Sequence, residues 1–244
     1  MEGLFERSEL LLGQSAMQKL RSARVILFGV GGVGSWCVEG LVRSGVENLT
    51  IVDFDQVAPS NVNRQLEATS STIGLSKVEC MRRRLLEINP EAQIEAVEKR
   101  FSEERAEEFE LARYDVIIDA IDSLKDKIAL LLAASRTEAK VFSSMGAALK
   151  LDPSRVRVAE FWQVRGCPLG AMLRKRMRQA GTVPQKEILC VYDDEVLENK
   201  GVCSEGTRIF HRGLWRKSAK NCTSSQAQSP TSTLSQVSKA SLRS

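Results

Sequence analysis

Short apolar runs alternate with amphipathic stretches as far as Ser144, and the alternation has the rhythm of a repeating strand–helix unit. Arg24–Val30 predicts a strand, and Val33–Ser44 a helix that stops near Gly45. Further strands are predicted over Asn48–Val52, Gln93–Val97, Asp115–Ala120 and Lys140–Ser144, with helices over Leu75–Ile88, Glu103–Leu111 and Lys125–Arg136. The Leu75 helix ends at Asn89-Pro90 because proline disfavours helical geometry in the residue before it. Ahead of this series, Leu10, Leu11, Met17 and Leu20 form an apolar stripe on a helix over Ser8–Leu20. Strands apolar enough to be covered on both faces predict a doubly wound, mostly parallel α/β sheet. After Pro153 the pattern mixes. Arg155–Trp162 alternates like an exposed edge strand, Pro168–Gln179 reads as a basic helix and Glu187–Tyr192 as a short strand, giving an antiparallel C-terminal extension. From Leu214 the composition collapses into Ser, Thr, Gln, Ala and Lys, which cannot bury enough surface to order itself. The expected division is one domain over 1–213 and a disordered Ser-rich tail over 214–244.

The candidate chemistry sits where predicted strands end. Val25-Ile-Leu-Phe-Gly29-Val-Gly31-Gly32-Val-Gly34-Ser runs a strand into a glycine turn that opens a helix, as in Rossmann-like nucleotide sites. Gly29, Gly31 and Gly32 would let the backbone approach phosphate, and Gly34 would let the helix pack tightly on the strand; the alternative is an ordinary tight turn. Asp53, at the end of the second strand, can accept both ribose hydroxyls. Asp55 reads as a helix or loop cap. Asn61-Val-Asn63-Arg64-Gln65 supplies a guanidinium and amide cluster for which hydride transfer has no use. Arg64 and Lys77 would neutralise a triphosphate, although Lys77 alone could be a solvated charge. In Asp119-Ala-Ile-Asp122-Ser, Asp119 could cap the next helix, while Asp122 could hold Mg²⁺ or serve as the N-cap of the Lys125 helix. Together these residues point to ATP and adenylation rather than to a dinucleotide oxidoreductase.

Composition narrows the setting. A formal charge of +4 is mildly basic, and Arg174-Lys175-Arg176-Met-Arg178 is either a solvated face or a polyanion-binding one. Six cysteines include no C-x-x-C pair, so a zinc ribbon is not expected. Cys167, before Pro168, reads as a helix start without a covalent role, and Phe161 and Trp162 as core or edge packing. The start of the chain lacks a basic, apolar leader, and no apolar run is long enough to span a bilayer. A reduced cytoplasmic protein without an integral membrane segment is expected.

The chain resembles the ATP-dependent adenylating enzymes that include the ubiquitin-activating enzymes and the ThiF- and MoeB-type activators of sulfur carriers. The resemblance rests on Arg7-Ser-Glu-Leu-Leu-Leu-Gly13, Gly29-x-Gly-Gly-Val-Gly34-Ser35, Asn61-x-Asn-Arg64-Gln65, Gly74-x-x-Lys77, Ile88-Asn89-Pro90, Asp119-Ala-Ile-Asp122-Ser123 and Cys167-Pro168-Leu169. Within them it is most similar to the tRNA threonylcarbamoyladenosine dehydratases. That resemblance implies adenylation and cyclisation of N6-threonylcarbamoyladenosine at position 37 of a tRNA. It further implies Asp53 on ribose, Arg64 and Lys77 on the triphosphate, Mg²⁺ on Asp122, and a homodimer in which Arg7 reaches the partner's ATP. A ubiquitin-like sulfur-carrier substrate, with a sulfur-transfer protein as partner, is the alternative; the missing cysteine pairs weigh against it. The family continues past the position of Gly213 into another strand and an apolar helix. The different residues here leave open a nucleotide-binding protein without turnover.

Overall fold

The computed structural model describes residues 3–198, together with the backbone of 208–211 and 214–217. Seven strands form one sheet in the order β3-β2-β1-β4-β5-β7-β6. Its centre is β1 (Arg24–Phe28), flanked by β2 (Asn48–Val52) and β4 (Val116–Asp119), with β3 (Gln93–Val97) at one edge. β5 (Lys140–Ser144), β7 (Leu189–Asp193) and β6 (Val156–Glu160) complete the other side. All neighbours run parallel except β6, which lies antiparallel to β7 at the edge, as the alternation of its sequence predicts.

Every residue of β1 after Arg24 is buried, and successive side chains serve opposite faces. Val25 and Leu27 pack with Val38, Ile51, Met81 and Leu85 beneath the helices that follow β1 and β2. Ile26 and Phe28 pack with Ile117, Leu130, Leu173 and Ile188 on the other face. Each such side chain, fully buried, contributes about 1.5–3 kcal/mol. The covering helices include α3 (Gly34–Arg43), α4 (Lys77–Ile88), α5 (Leu124–Ala134) and α6 (Pro168–Gln179).

Three expectations change. The single helix over Ser8–Leu20 is two, α1 (Glu6–Leu12) and α2 (Gln14–Ser22), broken at Gly13 with φ of +80°. The break divides the apolar stripe: Met17 is buried, whereas Leu10 and Leu11 remain 81% and 82% exposed. The charged helix over Glu103–Leu111 is 3₁₀ turns instead, interrupted where Glu110 adopts φ of +43°. Finally, Leu214–Lys217, read as the start of the tail, is a strand (β9) antiparallel to β8 (Arg208–His211). Tryptophan at 215 favours an extended backbone. The rest of the expected tail lies outside the described residues.

Candidate active site

The carboxyl ends of β1, β2, β4 and β5 open onto a cleft of about 710 Å³, within the range of small-molecule sites. Gly29, Gly31, Gly32, Asp53, Arg64, Gln65, Lys77 and Asp122 all line it. Gly34 and Asn61 stand behind the lining, and Arg7, exposed on α1, does not line the cleft of its own chain. A groove of about 930 Å³ between α5 and α6 is shallower and lacks the glycine turn and the strand-end carboxylates.

The glycine turn is shaped by close approach. Gly29 has φ of +94°, and a Cβ there would lie 2.7 Å from the Ala120 carbonyl oxygen. At Gly34 a Cβ would lie 1.8 Å from the Gly29 oxygen, so α3 starts hard against the strand. Gly31 faces open space apart from the Gln65 amide, 3.8 Å from where its Cβ would be. α3 also positions the next segment. The Ser35 hydroxyl donates to the Gly31 carbonyl (2.7 Å) and accepts from the Leu66 N–H (3.2 Å), while the Trp36 indole donates to the Arg64 carbonyl (3.0 Å). Asn61 is buried and works locally, its Oδ1 accepting the Ala58 N–H at 2.9 Å.

Asp53 accepts from the Val30 N–H (2.7 Å) and the Asp55 N–H (2.9 Å), and burial raises its carboxyl pKa against the opposing pull of Lys77. Lys77 is 5% exposed and pairs with Asp55 at 3.0 Å; Asp55 is therefore its counter-ion rather than a cap. Arg64 donates to the Ser60 carbonyl (2.7 Å) and to Asn63 Oδ1 (2.9 Å), and burial lowers its pKa. Among the described residues no carboxylate lies within 4.0 Å of the Arg64 guanidinium. Behind this wall Glu67 is 2% exposed, and neither of its oxygens completes a hydrogen bond of normal geometry. Burial pushes its carboxyl up to about 7, with Ser35 and Lys77 pulling the other way.

Behind the opposite wall lies what the sequence did not reveal. Asp119 and Lys127 are fully buried and paired at 2.7 Å. The Lys127 ammonium also donates to the carbonyls of Ile121 (3.0 Å) and Ser144 (2.8 Å), and the Ser143 hydroxyl donates to Asp119 at 2.6 Å. Asp119 accepts the Ile121 N–H instead of capping α5. Ser123 is the N-cap, accepting from the Asp126 N–H, which leaves Asp122 exposed at the cleft. Lys99, Arg100, Phe54 and the Met145–Ala148 segment also line the cleft without having been singled out. Arg100 pairs with Asp126 (2.7 Å) and lies over the Phe54 ring (5.5 Å). Lys127 lies in the first turn of α5, which starts at Leu124, so a short loop after β4 brings its long side chain back to the strand end. Cys167 is buried and caps α6, its sulfur accepting the Gly170 N–H, as a helix start should.

Residues 5–234 match the ThiF family. The chain belongs to that family. The tRNA threonylcarbamoyladenosine dehydratase of Bacillus subtilis is 38% identical over 191 residues, 78% of this chain and 74% of that protein. The Escherichia coli enzyme of the same name is 33% identical, covering 77% and 72%. A crystal structure of the E. coli enzyme in complex with ATP superposes with a TM-score of 0.82 and 27% identity, over 98% of this chain and 90% of that one. The ThiF-family sheet is thus the doubly wound, mostly parallel one, with its antiparallel extension. No helix among the described residues is long and apolar enough to cross a membrane.

Proposed function

We propose that this ThiF-family chain is an ATP-dependent dehydratase acting on N6-threonylcarbamoyladenosine at position 37 of tRNA. The observation that carries the reading is the gathering of a glycine turn, Asp53, Arg64, Lys77 and Asp122 in one cleft at the strand ends. A carboxylate is a poor electrophile until one oxygen becomes a good leaving group. Attack of the threonyl carboxylate on the α-phosphate expels pyrophosphate; attack of its own carbamoyl group on the acyl adenylate then expels AMP. The oxygen lost from the nucleoside leaves with AMP, so the net change is a dehydration driven by ATP.

In this scheme Asp53 receives the ribose hydroxyls, and the turn's N–H groups, Arg64 and Lys77 receive the phosphates. Phosphate would replace Asp55 on Lys77, an exchange that the half-exposed Asp55 can make by moving into solvent. The described residues hold no cluster of three metal-ligating side chains. Mg²⁺ takes one or two carboxylates plus phosphate oxygens, and Asp122 would be its protein ligand. When bound, the ion neutralises charge across adjacent phosphates. Arg7 would complete the site of a second copy; the exposed Leu10 and Leu11 beside it on α1 supply an apolar surface for a homodimer. We assign residues 1–213 to the adenylating domain, extended through β9, and the family match carries on to residue 234. The four free, buried cysteines among the described residues suit the cytoplasm.

The experiment is calorimetry with ATP–Mg²⁺ and NAD, followed by mass analysis of tRNA nucleosides after incubation with the protein and ATP. Preferential ATP binding, AMP release and a nucleoside lighter by one water are expected. Tight NAD binding without ATP binding would refute the reading. AMP release only with a ubiquitin-like carrier would transfer the chemistry to that substrate.

A further inference from the structure

Among the described residues, ten arginines have a carboxylate within 4.0 Å. The cations at 165, 174, 175, 176 and 178 have none within that distance among the described residues. Three of them are nonetheless held in place by a single turn, Phe161-Trp162. Arg165 donates to the Trp162 carbonyl at 2.7 Å, Arg174 to the Phe161 carbonyl at 3.2 Å, and Arg178 lies 5.2 Å from the centroid of the Trp162 ring. These anchors are neutral: two carbonyl oxygens and a π face. They order the guanidiniums and leave their charge uncompensated.

Phe161 is fully buried and its ring packs edge-on against Trp162, so the turn is a rigid platform. Glu160, just before the turn, accepts the Trp162 N–H at 2.7 Å. Burial lowers the Arg174 pKa, and the neighbouring charges of Arg165 and Arg178 lower it further, the mark of like charges crowded together. Arg174 and Arg178 are one helical turn apart on the same face of α6, and the exposed Lys175 is adjacent. α6 begins at the cleft, which Leu169 lines. At 1.5 Å per residue, Arg174 lies about 8 Å and Arg178 about 14 Å along the helix from Leu169.

We propose that Arg165, Arg174 and Arg178, with Lys175, form a phosphate-binding surface for the tRNA backbone flanking the nucleoside in the cleft. The inference rests on the dehydratase reading and deepens it, by naming where the polynucleotide is held. Guanidinium forks suit phosphate oxygens, and order before binding lowers the entropic cost of making the contacts. Neutralising phosphates releases counterions, so each contact adds to the salt dependence of binding.

The test is fluorescence anisotropy with full-length tRNA over a range of salt concentrations. It uses the parent, an Arg165→Gln/Arg174→Gln/Arg178→Gln variant, Lys175→Gln and Arg178→Lys. The slope of log affinity against log salt should become shallower by about 3 for the triple variant and about 1 for Lys175→Gln. Arg178→Lys should keep the parent slope, and ATP affinity by calorimetry should be unchanged throughout. If the triple variant no longer binds ATP, the exposed Lys175→Gln decides the matter. An unchanged tRNA slope in a parent-like, cyclising background would overturn the surface and leave the dehydratase reading standing. A parent that binds tRNA no better than inorganic polyphosphate and makes no cyclic nucleoside would overturn both. Charge-dependent binding to anionic lipid vesicles with none to tRNA would overturn the surface in favour of a membrane.

Discussion

Asp53 and Asp119 stand at the ends of β2 and β4, the two strands that flank β1, but only Asp53 lines the cleft. Asp53 is held by two backbone N–H groups and keeps a face toward the cleft. Asp119 is sealed, saturated by a buried ammonium, a hydroxyl and an N–H. A carboxylate fixed by backbone alone remains free to take a ligand. A carboxylate fixed by a buried counter-ion has become framework, and the exposed position passes to Asp122, three residues on. The same strand-end chemistry thus yields an open carboxylate on one wall and a buried brace behind the other.

The largest effect should come from breaking the brace. Lys127→Met leaves the Asp119 charge buried without its partner, a loss of about 3–5 kcal/mol. Urea denaturation of the variant measures it; a change below 1 kcal/mol would mean that the pair contributes little. On the binding wall, Arg64→Ala should lower the rate of AMP formation by about 10²–10³-fold with the folding midpoint nearly unchanged. Asp122→Asn, across the cleft, should behave alike. Unchanged turnover in either variant would remove that residue from the phosphate site.

Glu67 sharpens the contrast through pH. Its carboxyl is raised from 4.5 to about 7 in the folded chain. Between those values the folded state holds a proton that the unfolded state has released, so stability falls as pH rises from about 4.5 to 7 and then levels. At 1.36 kcal/mol per pH unit the full loss is about 3 kcal/mol. Glu67→Gln should flatten that part of the stability profile and raise stability above pH 7; a profile identical to the parent's would show that Glu67 is solvated. The smallest effect is expected at Cys167→Ala. It should cost about 1 kcal/mol, as the loss of a helix cap does, and leave AMP formation intact, because cyclisation supplies its own nucleophile. Loss of turnover in a folded variant would make the thiol a participant.

Legibility followed the same division. The glycine turn, Asp53 and the Asn61–Gln65 segment are written in short local patterns, and the strands around them follow from apolar runs. The second wall depends on a lysine that looks like any helical charge until α5 docks and returns it to the strand it left. The role of Asn61 was obscured because an amide near phosphate chemistry and an amide closing its own turn look alike in sequence. Gly13 was passed over inside an apolar stripe, since only its positive φ distinguishes a break from a continuing helix. Arg100 and Phe54 reach the cleft through loops whose course no periodicity encodes.

The contact between Gly34 and the Gly29 carbonyl has a thermodynamic consequence. With no room for a side chain, the first turn of α3 and the end of β1 move as one body, and the donors at the head of the helix are already aimed when a ligand arrives. The conformational entropy of gathering those donors is lost once, when the chain folds, and not again at each binding event.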